Sequence, residues 1–239
     1  MRSRCEIMTE MARKAVKAGI PIFIGYFPAA VAFGILAKGY DVSLLETFLF
    51  SAVVFAGASQ FIALNLLVSG VGYMGIILTT LLVNFRHFLM SAYLSRRMGA
   101  LAGKYKFLMA FGVTDEVFSV LSFTPGSLSK TFVFVLQVSA YTGWVSGTLA
   151  GYILGGFLPQ VLTQSMGIAL YSLLLAVLLP ELKKSCRILL LTISSGILNT
   201  VLVKMAILPD GWTIIVCIVV IALAGAFFIE DELGDSVDG

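Results

Sequence analysis

The chain has 239 residues, of which 59% are hydrophobic and only 12% are charged. An ordinary soluble domain carries about 25% charged residues, so this chain has too little charge to cover a water-facing surface. The net charge of +3 is small, and it excludes the strongly basic surface of a nucleic-acid-binding protein. Surplus apolar surface requires lipid, and lipid accepts only helices or closed barrels. Because the apolar stretches are long and do not alternate, they predict an all-α polytopic membrane protein.

The chain begins with a basic segment, residues 1–19, which lacks the apolar core of a signal peptide. We expect this segment to lie at the cytoplasmic membrane interface. A single transmembrane domain is predicted over 20–229, and an acidic, disordered tail over 230–239. The domain contains eight apolar stretches, which cover 20–38, 44–69, 71–94, 107–123, 131–157, 165–180, 187–208 and 212–229.

Lysine and arginine residues indicate how these stretches cross the membrane. Twelve of the 16 fall in the N-terminal segment, the loop Arg96–Lys106 and the loop Lys183–Arg187. The positive-inside rule places all three in the cytoplasm, including the N-terminus. Three apolar stretches separate each pair of clusters, so one stretch in each triplet should not cross fully. The prediction is therefore six full spans with two broken or re-entrant segments, and the alternative is eight full spans.

Polar residues within apolar stretches suggest where helices break. Three segments qualify: Ala56–Gln60, Asn84–His87 and Thr114–Glu116. Irregular backbone at membrane depth is tolerated where it lines a cavity or is buried in protein, and transporter sites are often built this way.

A weak internal repeat is also possible. Residues 25–34 followed by 44–67 resemble residues 147–155 followed by 165–179 in their rhythm of a small-residue helix, a short loop and a second helix. Duplication of this kind is common in transporters.

Arg86 is the candidate centre of a substrate site. An arginine at the bilayer centre costs at least about 2.5–3.5 kcal/mol, so it needs a partner inside the bundle. Asp115 and Glu116 are the acids in the middle of an apolar stretch, and either could pair with it. Such a set would suit a zwitterion, with Arg86 on the carboxylate and an acid on the ammonium group. The competing interpretations are a structural ion pair or groups that snorkel to the interface.

Other polar residues extend this candidate site. Gln60 and Asn84, with Ser59 and Thr114 beside them, could complete a polar shell around substrate, or they could hydrogen-bond helices together. His87, the single histidine, is a proton-coupling candidate, and so are Asp115 and Glu116.

A stripe of small residues marks one face of the stretch 131–157. Gly143, Gly147, Gly151 and Gly155 follow Ser139 at intervals of four, which predicts close helix packing. The face could seat a partner subunit or slide during transport, but packing within the same bundle is favoured. No phosphate-binding, nucleophile or metal-ligand motif occurs in the sequence, so we expect neither an ATP-driven engine nor an enzyme.

Three motifs in order resemble the AzlC family, the large subunits of bacterial branched-chain amino acid exporters. They are Phe55-Ala56-Gly57-Ala58-Ser59-Gln60-Phe61, Asn84-Phe85-Arg86-His87-Phe88-Leu89 and Thr114-Asp115-Glu116-Val117-Phe118. One departure is Met90, where a tyrosine is expected more often. The resemblance spans residues 19–209.

The resemblance implies export of valine, leucine or isoleucine, with methionine as a further candidate substrate. It also implies a bacterial inner-membrane location, a small AzlD-type membrane partner and no cofactor. Ion-gradient coupling is expected, and the alternatives are an uncoupled channel or facilitator, or an assembly or sensor subunit of a membrane complex.

Overall fold

The computed structural model describes most of the chain as helix. It describes residues 4–98, 103–126, 128–159, 186–205 and 212–234, together with positions 161, 175, 178, 179, 182 and 208. The described residues contain no β-strand and form nine principal α-helices. These are α1 (Arg4–Gly39), α2 (Leu44–Leu49), α3 (Gly57–Val68), α4 (Tyr73–Met98), α5 (Lys106–Phe111), α6 (Asp115–Phe123), α7 (Lys130–Gly155), α8 (Cys186–Met205) and α9 (Trp212–Gly234).

Helix length and apolar surface fit a bilayer. Four described helices are long and apolar enough to cross a membrane, and they lie over Thr9–Gly39, Tyr73–Met98, Lys130–Gly155 and Cys186–Met205. Large apolar side chains such as Leu81, Phe107 and Phe157 are exposed, as lipid-facing residues should be. The predicted all-α polytopic membrane fold is confirmed. The stretch 165–180 lies mostly outside the described residues, so six against eight spans stays a prediction.

The domain predicted over 20–229 divides into two compact units. The first comprises Met1–Phe61 with Asn84–Leu170, and the second comprises Ile62–Val83 with Tyr171–Gly239. In the second unit α8 packs on α9, where Gly225 lies against Leu191 and the Cys217 thiol donates to the side-chain oxygen Oδ1 of Asn199 at 3.9 Å.

Two predicted boundaries do not coincide with helix ends. Helix α1 runs from Arg4 to Gly39 without a break, so the boundary expected at residue 19 falls inside it. Helix α9 ends at Gly234, so the boundary expected at residue 230 also falls inside a helix. The remaining tail residues, 235–239, lie outside the described part of the chain.

Glycines join α1 to α7 in the first unit. A Cβ on Gly147 would lie 2.6 Å from the Phe27 carbonyl oxygen, and one on Gly151 would clash with the Val31 backbone. Gly143 and Gly155 likewise lie against α1, and Gly34 of α1 lies against the α7 backbone. The small-residue face therefore packs within the bundle, backbone against backbone, as GxxxG-type faces do.

Two helices of the first unit are interrupted. After α2, a π-helical segment, Phe50–Val54, leads into Phe55 and Ala56 before α3 begins at Gly57. A second interruption lies at residues 112–114, between α5 and α6. These breaks fall at or beside two of the three predicted positions. The third prediction is wrong, because α4 continues unbroken through Asn84–His87.

Substituting Gly151 tests the α1–α7 contact. Gly151→Ala should destabilise the protein by about 1–3 kcal/mol, because the added methyl group meets Val31 backbone that cannot move aside. The measurement is the thermal unfolding midpoint of the purified protein in detergent. Gly25→Ala is the matched control, since a Cβ there meets nothing within 4 Å. Equal midpoints for the two variants would contradict this account of the packing.

Candidate functional site

The first helix break is held by side chains. Phe55 adopts a left-handed conformation with φ 43°, which is uncommon for a bulky residue. The buried Gln60 accepts a hydrogen bond from the Ala56 amide at 3.2 Å and donates one to Ser51 Oγ at 3.2 Å. Ser51 in turn lies 2.7 Å from the Thr148 hydroxyl on α7. This chain of bonds satisfies polar groups that lipid could not.

Ser59 connects the break to α4. Its hydroxyl donates to the Ala56 carbonyl at 2.9 Å and accepts a hydrogen bond from Asn84 Nδ2 at 3.0 Å. Three predicted site residues, Ser59, Gln60 and Asn84, therefore belong to one network. Its members link helices and also border the break, so it serves structure whatever else it does.

The second break positions two acids. Thr114 caps the N-terminus of α6 by accepting a hydrogen bond from the Val117 amide at 3.4 Å. Gln137 of α7 donates to the Met109 carbonyl at 2.6 Å, which satisfies the end of α5. Asp115 and Glu116 occupy the first turn of α6, where the helix dipole favours negative charge.

The structure divides the charged groups into two pairs. Arg86 Nη2 lies 3.0 Å from Asp115 Oδ2, and the two side chains are 40% and 34% exposed. Glu116 instead accepts a hydrogen bond from the Tyr26 hydroxyl of α1. Among the described residues, no cationic nitrogen lies within 4.0 Å of Glu116. One arginine therefore faces two acids, and Asp115 is the acid it pairs with. His87 follows Arg86 on α4 and is half-buried.

Helix α4 holds α6 at both ends. Below the Arg86–Asp115 pair, Tyr93 meets Phe118 edge to face at 5.5 Å between ring centroids. Arg97 then donates to the Leu121 carbonyl at 2.5 Å and to carbonyls of Ser122 and Thr124, which closes the C-terminal end of α6. Arg97 was expected to lie in a topogenic loop, but it lies in the last turn of α4.

Several buried polar atoms of this region have no partner. Within the described part of the chain, Asn84 Oδ1, Arg86 Nε and Trp144 Nε1 are buried and make no hydrogen bond. Buried polar groups are almost always satisfied, so unpaired ones indicate a place where water or a ligand binds. One acceptor and two donors of this kind lie on α4 and α7.

Sequence reasoning missed Tyr26, Ser51, Trp144 and Thr148. A tyrosine or tryptophan in an apolar stretch gives no signal of its own, because aromatic residues are ordinary in membrane helices. Only the folded arrangement shows that Tyr26 meets Glu116 and that Trp144 lies on Gly57. The described residues contain no group of three or more His, Cys, Asp or Glu that could hold a metal ion.

These features define the class: an all-α polytopic membrane protein whose polar and charged groups gather at helix breaks, the construction typical of transporters. Residues 21–158 match the family model described as AzlC protein. The chain belongs to the AzlC family, as the sequence motifs predicted.

Individual relatives agree with this assignment. The chain is 33% identical to the inner membrane protein YgaZ of Escherichia coli K12, over 70% of this chain and 72% of that one. It is 32% identical to the branched-chain amino acid transport protein AzlC of Bacillus subtilis, over 66% of this chain and 62% of that one. An uncharacterized membrane protein of Archaeoglobus fulgidus is 31% identical, over 72% of this chain and 77% of that one. No solved structure matches the chain.

Removing the Gln60 amide should destabilise the first break. Gln60→Leu leaves the buried Ala56 amide without its partner, at a cost of about 1–3 kcal/mol. Thermal unfolding in detergent measures this cost. Thr142→Val is the control, because that hydroxyl bonds only to carbonyls of its own helix on an exposed face of α7. A Gln60→Leu protein as stable as this control would show that the break does not depend on the side chain.

Proposed function

We propose that the chain is the large subunit of an exporter of branched-chain amino acids in the bacterial inner membrane. Membership of the AzlC family and the membrane fold give the coarser conclusion, a role in membrane transport. The transport names of the relatives point away from an enzyme. The observation that carries the finer proposal is the charged set of Arg86, Asp115 and Glu116 within apolar helices.

The charged set can recognise both ends of a zwitterion. Asp115 occupies Nη2 of Arg86, but the arginine side chain is still 40% exposed, so a carboxylate can reach the guanidinium. Glu116 has no cationic nitrogen within 4.0 Å among the described residues, so it can accept the ammonium group. Ser59, Gln60, Asn84 and Thr114 complete the polar surroundings in this proposal.

A neighbouring cavity offers room for an aliphatic side chain. It has a volume of about 290 Å³ and lies between α4 and α5. Its lining is mainly apolar and includes Phe88, Ala110 and Val113. Val113, one of its lining residues, directly precedes Thr114, so the cavity lies beside the second helix break. Ligand pockets start near 300 Å³, which suits a substrate as small as valine, leucine, isoleucine or methionine.

Energy for export would come from an ion gradient. Glu116, Asp115 and His87 are the proton-coupling candidates, since each could gain or lose a proton during the cycle. A small AzlD-type membrane subunit is the proposed partner. The alternatives are an uncoupled channel or facilitator, and an assembly or sensor subunit whose partner carries the transport path.

Export of labelled valine from cells tests the proposal. Cells that express the chain with its AzlD-type partner should lose preloaded valine faster than empty cells. Arg86→Ala and Glu116→Ala should each lower export at least about tenfold, because each removes a charge-assisted contact worth about 1.5–3 kcal/mol. Arg96→Ala is the control, since Arg96 is exposed and lies nearer the C-terminal end of α4 than Arg86 does.

The outcomes separate the alternatives. Normal export by an Arg86→Ala protein that inserts normally would overturn the zwitterion site. Export that persists after a protonophore and sodium removal would favour a facilitator. Export by the partner without this chain would favour an assembly or sensor role.

Filling the cavity should change substrate preference. Ala110→Phe places a ring in the space between α4 and α5, so leucine export should fall more than valine export. A loss of one methylene contact changes discrimination by about 10–200-fold at most, which sets the expected range. Ala222→Phe, on an exposed face of α9, is the control. An equal fall in leucine and valine export would show that the substrate side chain does not bind in this cavity.

A further inference from the structure

Tyr26 contacts the charged set of Arg86, Asp115 and Glu116 without belonging to it. Its hydroxyl donates a hydrogen bond to Glu116 Oε2. Its ring meets Trp144 of α7 edge to face, with centroids 5.6 Å apart and an interplanar angle of 79°. Trp144 in turn lies on Gly57, the first residue of α3. Tyr26 therefore connects the acid of the second helix break to the aromatic residue that covers the first.

Helix α6 is held differently by α4 and by α1. Helix α4 holds it through Arg86, Tyr93 and Arg97, which lie seven and four residues apart and so share one face of α4. Helix α1 contacts it through the Tyr26–Glu116 hydrogen bond, while α1 itself is fixed to α7 by glycine contacts. The hydrogen bond is thus one polar link between the α1–α7 pair and the α4–α6 pair.

We propose that Tyr26 is a further residue of the substrate site, and that its hydroxyl competes with the substrate's amino group for Glu116. This inference rests on the proposed function. A phenol donates one neutral hydrogen bond, whereas an ammonium group brings three donors and a full positive charge. Both hydrogen bonds to the carboxylate are charge-assisted, but only the ammonium group adds the attraction of a full opposite charge, so it displaces the hydroxyl when substrate enters.

Two consequences follow for transport. Substrates with an amino group release α6 from α1, whereas carboxylates without an amino group leave the Tyr26–Glu116 bond intact. Substrate binding therefore changes the contacts of the α4–α6 pair, because the Tyr26–Glu116 hydrogen bond is lost. Substrate selection and the change of helix contacts then depend on the same carboxylate.

Trp144 provides a probe of this step that is independent of transport. The chain has two tryptophans, so a Trp212→Phe background leaves Trp144 as the only fluorophore of its kind. Purified full-length protein of this background is titrated with leucine and with 4-methylpentanoic acid, which has the same carbon skeleton without the amino group. Binding of labelled leucine is measured by equilibrium dialysis on the same samples.

Leucine should shift the Trp144 emission with the same midpoint as labelled leucine binding, and 4-methylpentanoic acid should not. Tyr26→Phe keeps the ring on Trp144 but removes the competing hydroxyl. It should tighten leucine binding about tenfold, abolish the leucine-dependent shift, and have no effect on affinity in a Glu116→Gln background. Tyr152→Phe, which removes a hydrogen bond to the Val42 carbonyl elsewhere on α7, should behave as the parent.

The results distinguish two failures. If leucine binds equally well with and without the Tyr26 hydroxyl, or if both ligands shift Trp144 alike, the competition is wrong while the substrate assignment stands. If no labelled leucine binds the parent protein with its AzlD-type partner present, the proposed function itself fails.

Discussion

The absence of water inside a bilayer governs this structure. A helix that stops at membrane depth exposes amides and carbonyls, and each must find a partner within the protein. Gln60 meets the amide at the first break, Thr114 caps the second, and Gln137 satisfies the carbonyl at Met109. Arg97 closes the far end of α6 with a guanidinium. Because polar side chains must gather where the backbone breaks, the breaks are places in the described helices where a polar solute can find hydrogen-bonding groups.

Charged side chains also need partners within the protein, and an unpartnered charge in a bilayer costs more free energy than an unpartnered amide or carbonyl. The Arg86–Asp115 pair gives each of its charges an opposite partner, which offsets part of the cost of taking both out of water. Glu116 has a hydroxyl as its described hydrogen-bond partner, and no cationic nitrogen of the described residues lies within 4.0 Å of it. The two neighbouring acids therefore differ in their partners, and this difference is the basis of the separate roles proposed for them.

Sequence could predict the fold and two break positions because polar residues within apolar stretches are visible without a structure. The same signal failed at Asn84–His87, where the polar groups reach outwards from an intact helix to Ser59 and Asp115. A polar residue in lipid demands a partner, but that partner can be another helix rather than a broken backbone. Sequence could not show whether Arg86 pairs with Asp115 or with Glu116, because that choice depends on tertiary contacts. It could not show the contact of Tyr26 with Glu116 either, since the two residues are 90 positions apart in the sequence.

The contact between α1 and α7 differs in kind from the contact between α1 and α6. Helices α1 and α7 approach so closely at Gly34, Gly147 and Gly151 that backbone meets backbone, and a sliding motion there would need simultaneous rearrangement of many atoms. Helix α1 meets α6 instead through a side-chain hydrogen bond, which a competing donor can replace. An interface of replaceable polar contacts responds to ligand charge, whereas a glycine-packed interface does not. In the proposed competition for Glu116, the α1–α7 pair is therefore the fixed reference, and α6, carried by α4, is the part that would move.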